Sequence, residues 1–214
     1  FILMIMNDVK NYKHVLDIGS NVGDITRKLL EDKDNFVYSI EPIKNLYDNL
    51  KNLESNYSNL KVLNCAVSKE EGTQTFYINE PHYTSSLKKF NDPVKNGWPS
   101  SLSYNQEVIV ETYKLSTIIK FLGLEGKIIE YIKIDTQGSD LDVIESAENF
   151  LENIKKIKCE AFYSNENTEL SENEGKVEDI IKFMENNNFM MVENEVNETR
   201  LWSDLTFKNK KFIY

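Results

Sequence analysis

The stretch His14-Val15-Leu16-Asp17-Ile18-Gly19-Ser20-Asn21-Val22-Gly23-Asp24 decides the fold. An apolar run with strand character enters a turn bounded by two glycines, and helical spacing follows from Asp24. Further on, Phe36-Val37-Tyr38-Ser39-Ile40-Glu41 is a second apolar run that closes on an acid. Strand, glycine turn, helix and acid-tipped strand together make the unit that grips a nucleoside-bearing cofactor in α/β proteins.

The glycine spacing narrows the kind of cofactor. Gly19 to Gly23 reads G-x-x-x-G, whereas a dinucleotide fingerprint reads G-x-G-x-x-G. Asn21 stands where the second, pyrophosphate-approaching glycine would be. The loop carries an acid instead, Asp17, two residues before its first glycine. A carboxylate there suits a cofactor with a cationic end and no phosphate. S-adenosylmethionine has that chemistry: an α-amino group, a sulfonium and no phosphate. Glu41, 22 residues after Gly19, is placed to accept bonds from both ribose hydroxyls. The bland alternative is a βαβ turn with incidental acids, and the agreement of loop, spacing and second acid argues against it. An NAD-dependent oxidoreductase on a similar fold is the other enzymatic alternative. The missing glycine and the acid at position 17 count against it. A binding module that keeps the fold without catalysis is a third.

Outward from this unit, strands and helices alternate. The pattern predicts strands at 14–19, 36–41 and 60–67, with helices at 24–30 and, opened by Pro42, at 43–53. An alternating strand at 73–79 follows Gly72. Residues 107–114 form another, with Val108, Val110 and Thr112 on one face. Ser116 is placed to cap a helix through Leu122. The long apolar run Ile128–Asp135 turns through Thr136-Gln137-Gly138 into a helix over 139–151, and Ile154–Phe162 is the next strand. A helix at 177–186 and a hairpin of 189–195 with 202–207 close the chain. The expected fold is α/β: a doubly wound, mostly parallel seven-stranded sheet with an antiparallel C-terminal hairpin and an inserted loop and strand region. Residues 80–106 break the alternation and carry His82, Tyr83, Ser85, Ser86, Trp98 and Tyr104. A stretch this long inside a domain reads as a lid over an acceptor.

Composition agrees. The chain has 214 residues, 40% hydrophobic and 28% charged, which describes one globular domain. It starts at Phe1, which admits a domain cut from a longer polypeptide. No apolar run approaches the roughly 20 residues of a membrane span. The net charge of −10 and the scattered lysines offer no basic face for nucleic acid. Cys65 and Cys159 fall in apolar strands and read as buried thiols in a reducing, cytoplasmic setting.

In such sheets the ligand lies beyond the carboxyl ends of the strands. The candidates are therefore Asp17 and Gly19, Glu41, Asn64 to Ala66, Asp135 and Glu160. Taken in order, D-I-G-S-N-V-G, S-I-E-P, N-C-A-V-S, Y-I-K-I-D-T-Q-G-S-D and the acid Glu160 resemble the FkbM-type S-adenosylmethionine-dependent methyltransferases. The resemblance covers about residues 12 to 165, and the I-K-I-D-x-x-G element is its most specific part. It implies that Asp17, Gly19, Ser20, Asn21 and Gly23 cradle the methionine portion, that Glu41 with Pro42 holds the ribose, and that Asn64, Cys65 and Ala66 lie near the adenine. It also implies O-methylation of a sugar or glycan hydroxyl, with other natural-product hydroxyls as the alternative. The family has Glu where Gln137 and Asp140 stand.

For chemistry beside the methyl group, Asp135 is the first candidate, as base or as a group that orients the acceptor. His82 is the second, since imidazole titrates nearest neutral pH. Glu160 is placed to bind an acceptor hydroxyl or, with Asp135, a divalent cation; oxygen ligands would favour Mg²⁺. Ser85, Ser86, Tyr83, Trp98 and Gln137 are the expected acceptor-side contacts, with loop capping and lid packing as the plainer roles. His14 reads as structural.

Overall fold

The computed structural model describes residues 12–80, 82–89, 103–163, 175–197 and 202–213. Among these residues ten strands and five α-helices run in chain order: β1 Lys13–Ile18, α1 Asp24–Leu29, β2 Asn35–Ile40, α2 Lys44–Glu54, β3 Leu60–Leu63, β4 Ala66–Val67, β5 Gly72–Glu80, β6 Ser103–Tyr113, α3 Leu115–Phe121, β7 Ile129–Ile134, α4 Asp140–Glu145, β8 Lys156–Phe162, α5 Val177–Asn186, β9 Phe189–Val196 and β10 Trp202–Asn209.

Seven strands form one sheet in the order β3-β2-β1-β7-β8-β10-β9. The first five run parallel to one another, and β10 is antiparallel to both β8 and β9. Alternate residues of a strand face opposite sides, and each face has its own core. Val15, Val37 and Val62 pack with Leu30 and Leu50 on the side of α1 and α2. Leu16, Ile18, Ile40 and Ile132 face the other side, where α3, α4 and α5 supply Ile119, Val143 and Ile180. In α5, the buried residues Val177, Ile180 and Met184 recur at helical spacing, and Glu178 and Asp179 sit in its first turn, where the helix dipole favours negative charge.

Two expected elements divide. The run 60–67 is not one strand. It stops at Leu63, and Ala66–Val67 joins a separate three-stranded sheet of order β4-β6-β5. At the break, the Asn64 side chain donates to the carbonyls of Glu41 and Pro42 at 2.9 and 3.0 Å. The helix expected over 139–151 ends at Glu145 and resumes as a 3₁₀ helix, Glu148–Asn153, because Glu148 has a φ of 52°. Ser146 marks the break: its hydroxyl donates to the Val143 carbonyl at 2.7 Å and accepts from the Leu115 N–H at 2.9 Å. Ser146 thereby does for α3 what was expected of Ser116, which lies inside that helix.

The chain crosses from one flank of the sheet to the other between β1 and β7. The carboxyl ends of these two strands and of β2 carry Gly19, Asp135 and Glu41, and a cavity opens there, as strand-order reversal requires.

Candidate active site

The glycine turn is built by backbone. Gly19 and Ser20 donate their N–H groups to the Ile40 carbonyl at 3.0 and 3.1 Å, and Gly23 N–H reaches the Ser20 carbonyl at 2.8 Å. Ser20 splints the turn, its hydroxyl donating to the Asp17 carbonyl at 2.8 Å and accepting from Ile40 N–H at 3.0 Å. Gly19 has a φ of 78°, and a Cβ there would run into the Asp135 carbonyl oxygen, so no other residue fits. Asn21 is left-handed too, at a φ of 51°.

Asp17 is fully buried. One carboxylate oxygen accepts from Thr26 Oγ1 at 2.6 Å, while Oδ1 has no partner. Burial raises its pKa. Glu41 is also buried, and its oxygens accept from Asn21 N–H at 2.8 Å and Ile43 N–H at 2.7 Å. Desolvation lifts its pKa to about 7 against the pull of those bonds. Asn21 Oδ1 and Ser139 Oγ are likewise buried without a partner.

The cavity has a volume of about 280 Å³. Asp17, Gly19, Ser20, Asn21, Glu41 and Pro42 line one side of it; Cys65, Ala66, Val67 and Phe76 add an apolar panel. His82, Tyr83, Ser85, Lys133, Asp135, Gln137 and Ser139 are also in its wall. Of the other expected residues, Gly23 caps α1, Asn64 braces the Glu41–Pro42 backbone from a neighbouring groove, and Ser86 lies behind the wall. Trp98 lies outside the described residues, as does much of the expected lid. His14 is buried at the far end of β1 against the Tyr38 hydroxyl, 3.2 Å away, and burial lowers its pKa to about 4. Both cysteines are free and buried.

Around Asp135 the site is made of side chains. Lys133 Nζ donates to its Oδ2 at 2.8 Å and Gln137 Nε2 to its Oδ1 at 2.6 Å. The Gln137 amide also faces Glu160 Oε1 at 3.4 Å. Glu160 therefore stands behind Gln137. Its own burial, with the Asp135 and Asp140 charges, drives its pKa up. Asp140, raised to about 6 mainly by burial, accepts from Thr136 N–H at 3.1 Å, Thr136 Oγ1 at 2.8 Å and Glu160 N–H at 3.0 Å. Gln137 takes a φ of 53°, a conformation that costs a side-chain-bearing residue on the order of 1–3 kcal/mol. Ser86 holds it there, its hydroxyl reaching the carbonyls of Thr136 and Gln137 at 3.1 and 2.8 Å.

This donor set does not fit the expected divalent cation. A lysine ammonium and an amide N–H already face the two oxygens of Asp135, and the amide lies between Asp135 and Glu160. Among the described residues no group of three or more His, Cys, Asp or Glu is placed to hold a metal ion.

Comparison with known proteins gives the family. The Methyltransferase FkbM domain matches residues 17–191. The chain belongs to the FkbM methyltransferase family. That membership covers the turn, Glu41, the Asp135 element and Glu160, and it selects methyl transfer over the hydride-transfer alternative. Solved structures agree on the fold. Magnesium protoporphyrin IX methyltransferase (ChlM) from Synechocystis PCC 6803, with bound S-adenosylhomocysteine, is 10% identical over 97% of this chain and 78% of that one, with a TM-score of 0.52. TrmK from M. capricolum, in complex with S-adenosylhomocysteine, is 12% identical over 98% of this chain and 67% of its own, with a TM-score of 0.50. No curated protein matches the chain. Among the described residues no helix is long and apolar enough to cross a membrane.

Sequence reading gave no role to Lys133, Thr26 or Ser139. Lys133 had a visible signal: a lone lysine in the apolar strand Ile129–Ile134, two residues before Asp135. Thr26 and Ser139 had none, since only the folded turn brings them to Asp17 and to the cavity.

Proposed function

We propose that this domain transfers the methyl group of S-adenosylmethionine to a hydroxyl of a sugar or glycan. The observation that carries the cofactor assignment is the fully buried Asp17, whose Oδ1 lacks a partner in the cavity wall. An unpartnered buried carboxylate oxygen costs free energy, and an ammonium group would complete it. Asn21 Oδ1 offers a further acceptor and Ser139 Oγ a further polar group. Glu41 would hold the ribose through the lone pairs its backbone donors leave free, and the panel of Ala66, Val67 and Phe76 suits a flat purine. Bound there, S-adenosylmethionine supplies an electrophilic methyl group on a good leaving group.

The protein's remaining task is to align an oxygen with the methyl–sulfur axis, and positioning of that kind supplies about 7–11 kcal/mol in favourable cases. Asp135 is the group that would accept the acceptor hydroxyl's hydrogen bond, as base or as orienting group. Its carboxylate is fixed from both sides and lines the cavity. His82 and the exposed ring of Tyr83 lie on the same side and would contact the sugar. Both are exposed at the rim, which suits a solvated polyol. A neutral sugar needs no charge complementarity, so the acidic chain is no obstacle. We place the domain in the cytoplasm, in keeping with its two free thiols.

The test is incubation with methyl-labelled S-adenosylmethionine and a panel of methyl glycosides, phenols and carboxylic acids. Label is expected in a glycoside ether. Transfer confined to phenols or carboxylates would overturn the acceptor assignment.

A further inference from the structure

One residue at the site has no assigned role and an unusual position. Lys133 lies on β7 with its side chain only 15% exposed, between two acids that serve different halves of the cavity. On the adjacent strand β1 its register partner is Asp17. Just beyond the end of its own strand, Nζ bonds Asp135 Oδ2 at 2.8 Å. On the other flank its register partner is Lys158 of β8, a like charge, which is occupied elsewhere by Glu195 at 2.8 Å and Asp204 at 3.0 Å. Buried lysines are rare unless paired, and two lysines side by side on one face are unfavourable. Lys133 is thus held toward the cavity by the acids at 17 and 135, while Lys158 turns to its own acids. Among the described residues lining the cavity it is the one lysine or arginine, against Asp17, Asp24, Glu41 and Asp135.

We propose that Lys133 is a positioning residue that fixes Asp135 beside the methyl-bearing centre and balances its charge, so that it sets the preference between the sulfonium cofactor and its neutral thioether product. The proposal rests on the placement of Asp135 given under the proposed function. S-adenosylmethionine and S-adenosylhomocysteine share every contact except the methyl group and its positive charge. A charge near the sulfur therefore acts on their ratio, and a grip on the shared amino-acid or ribose portion does not. With Lys133 in place, Asp135 presents a neutralised pair and does not trap the cation before an acceptor arrives. Burial alone would lower the Lys133 pKa, but the carboxylates of Asp135 and Asp17 outweigh it and hold the ammonium charged.

The test is titration calorimetry of both ligands at one pH on wild type, K133M, K133R, D135N and the double variant K133M/D135N, with thermal unfolding to confirm that each folds. K133M strips the cation and leaves Asp135 bare, so affinity for S-adenosylmethionine relative to S-adenosylhomocysteine should rise by at least about fivefold, the value for unit charges about 4 Å apart in a water-like dielectric, and by more as the local dielectric falls. D135N does the reverse, and the ratio should fall by a similar factor. The double variant should return to within about threefold of wild type, as coupled residues do, and K133R should stay there. An unchanged ratio in K133M, or parallel weakening of both ligands, overturns the proposal. If K133M does not fold, D135N decides, since an unchanged ratio there is equally fatal. Wild type that binds neither ligand brings down the cofactor assignment itself, a result distinct from binding without a shift in ratio.

Discussion

The two halves of the cavity are built by different means. The half proposed for the cofactor, from Asp17 to Glu41, is short in sequence and fixed by backbone: the glycine turn hangs from the Ile40 carbonyl, and Glu41 is clamped by two N–H groups. The half proposed for the acceptor is an assembly of side chains from distant segments. Ser86 reaches across 51 residues to the Gln137 carbonyl, and Asp135 is held by a lysine and an amide. A backbone-built site tolerates few changes and stays recognisable. A side-chain site can be rebuilt by single substitutions, which is where acceptor choice is expected to vary.

The halves touch at Gly19, and the largest effect is expected there. Gly19→Ala would drive a Cβ into the Asp135 carbonyl and force a left-handed φ on alanine, so a loss of about 3 kcal/mol or more is expected by denaturant unfolding, with both halves lost together. Asp135→Ala should separate them. Turnover is expected to drop by roughly 10²–10⁴ if the carboxylate acts as base, while S-adenosylhomocysteine affinity stays within about threefold. Full activity in that variant would refute the assignment of Asp135.

Glu41 gives a pH signature of the cofactor half. Its folded pKa of about 7 lies above the ordinary 4.5. Between these values the folded protein holds a proton that the unfolded chain has released, so this group's contribution to stability is complete below 4.5 and fades as pH rises to 7. Because it is almost fully buried, the change is about 3 kcal/mol at 1.36 kcal/mol per unit. Glu41→Gln should flatten the slope by that amount in urea titrations at several pH values. His14 works in the opposite direction: its depressed value, about 4, removes stability as pH falls from 6.5. The difference between variant and wild type is therefore the quantity to read. The smallest effect is expected for Ser86→Ala, which strips a hydroxyl from two half-buried carbonyls and should cost about 1 kcal/mol in thermal unfolding. It should leave S-adenosylhomocysteine affinity unchanged and slow transfer to the acceptor.

The same division explains what the sequence made legible. Glycine spacing, strand periodicity and acids at strand ends are local signals, and they located β1, β2, the turn and the I-K-I-D element. The breaks were not visible, because they depend on partners elsewhere. Asn64 ends β3 by bonding to carbonyls at 41 and 42, and Ser146 ends α4 while serving α3. Likewise, Glu160 was read as a strand-tip ligand, and nothing in its neighbours showed that a glutamine amide from position 137 would stand in front of it. Lys133 was in plain view but had no role until its register with Asp17 was known.

The most direct test of the two-part site is calorimetry of S-adenosylhomocysteine on wild type, Asp17→Ala and Asp135→Ala. Binding is expected to vanish in Asp17→Ala and to persist in wild type and Asp135→Ala. Equal loss in both variants, or retained binding without Asp17, would contradict the division of the cavity into a cofactor half and an acceptor half.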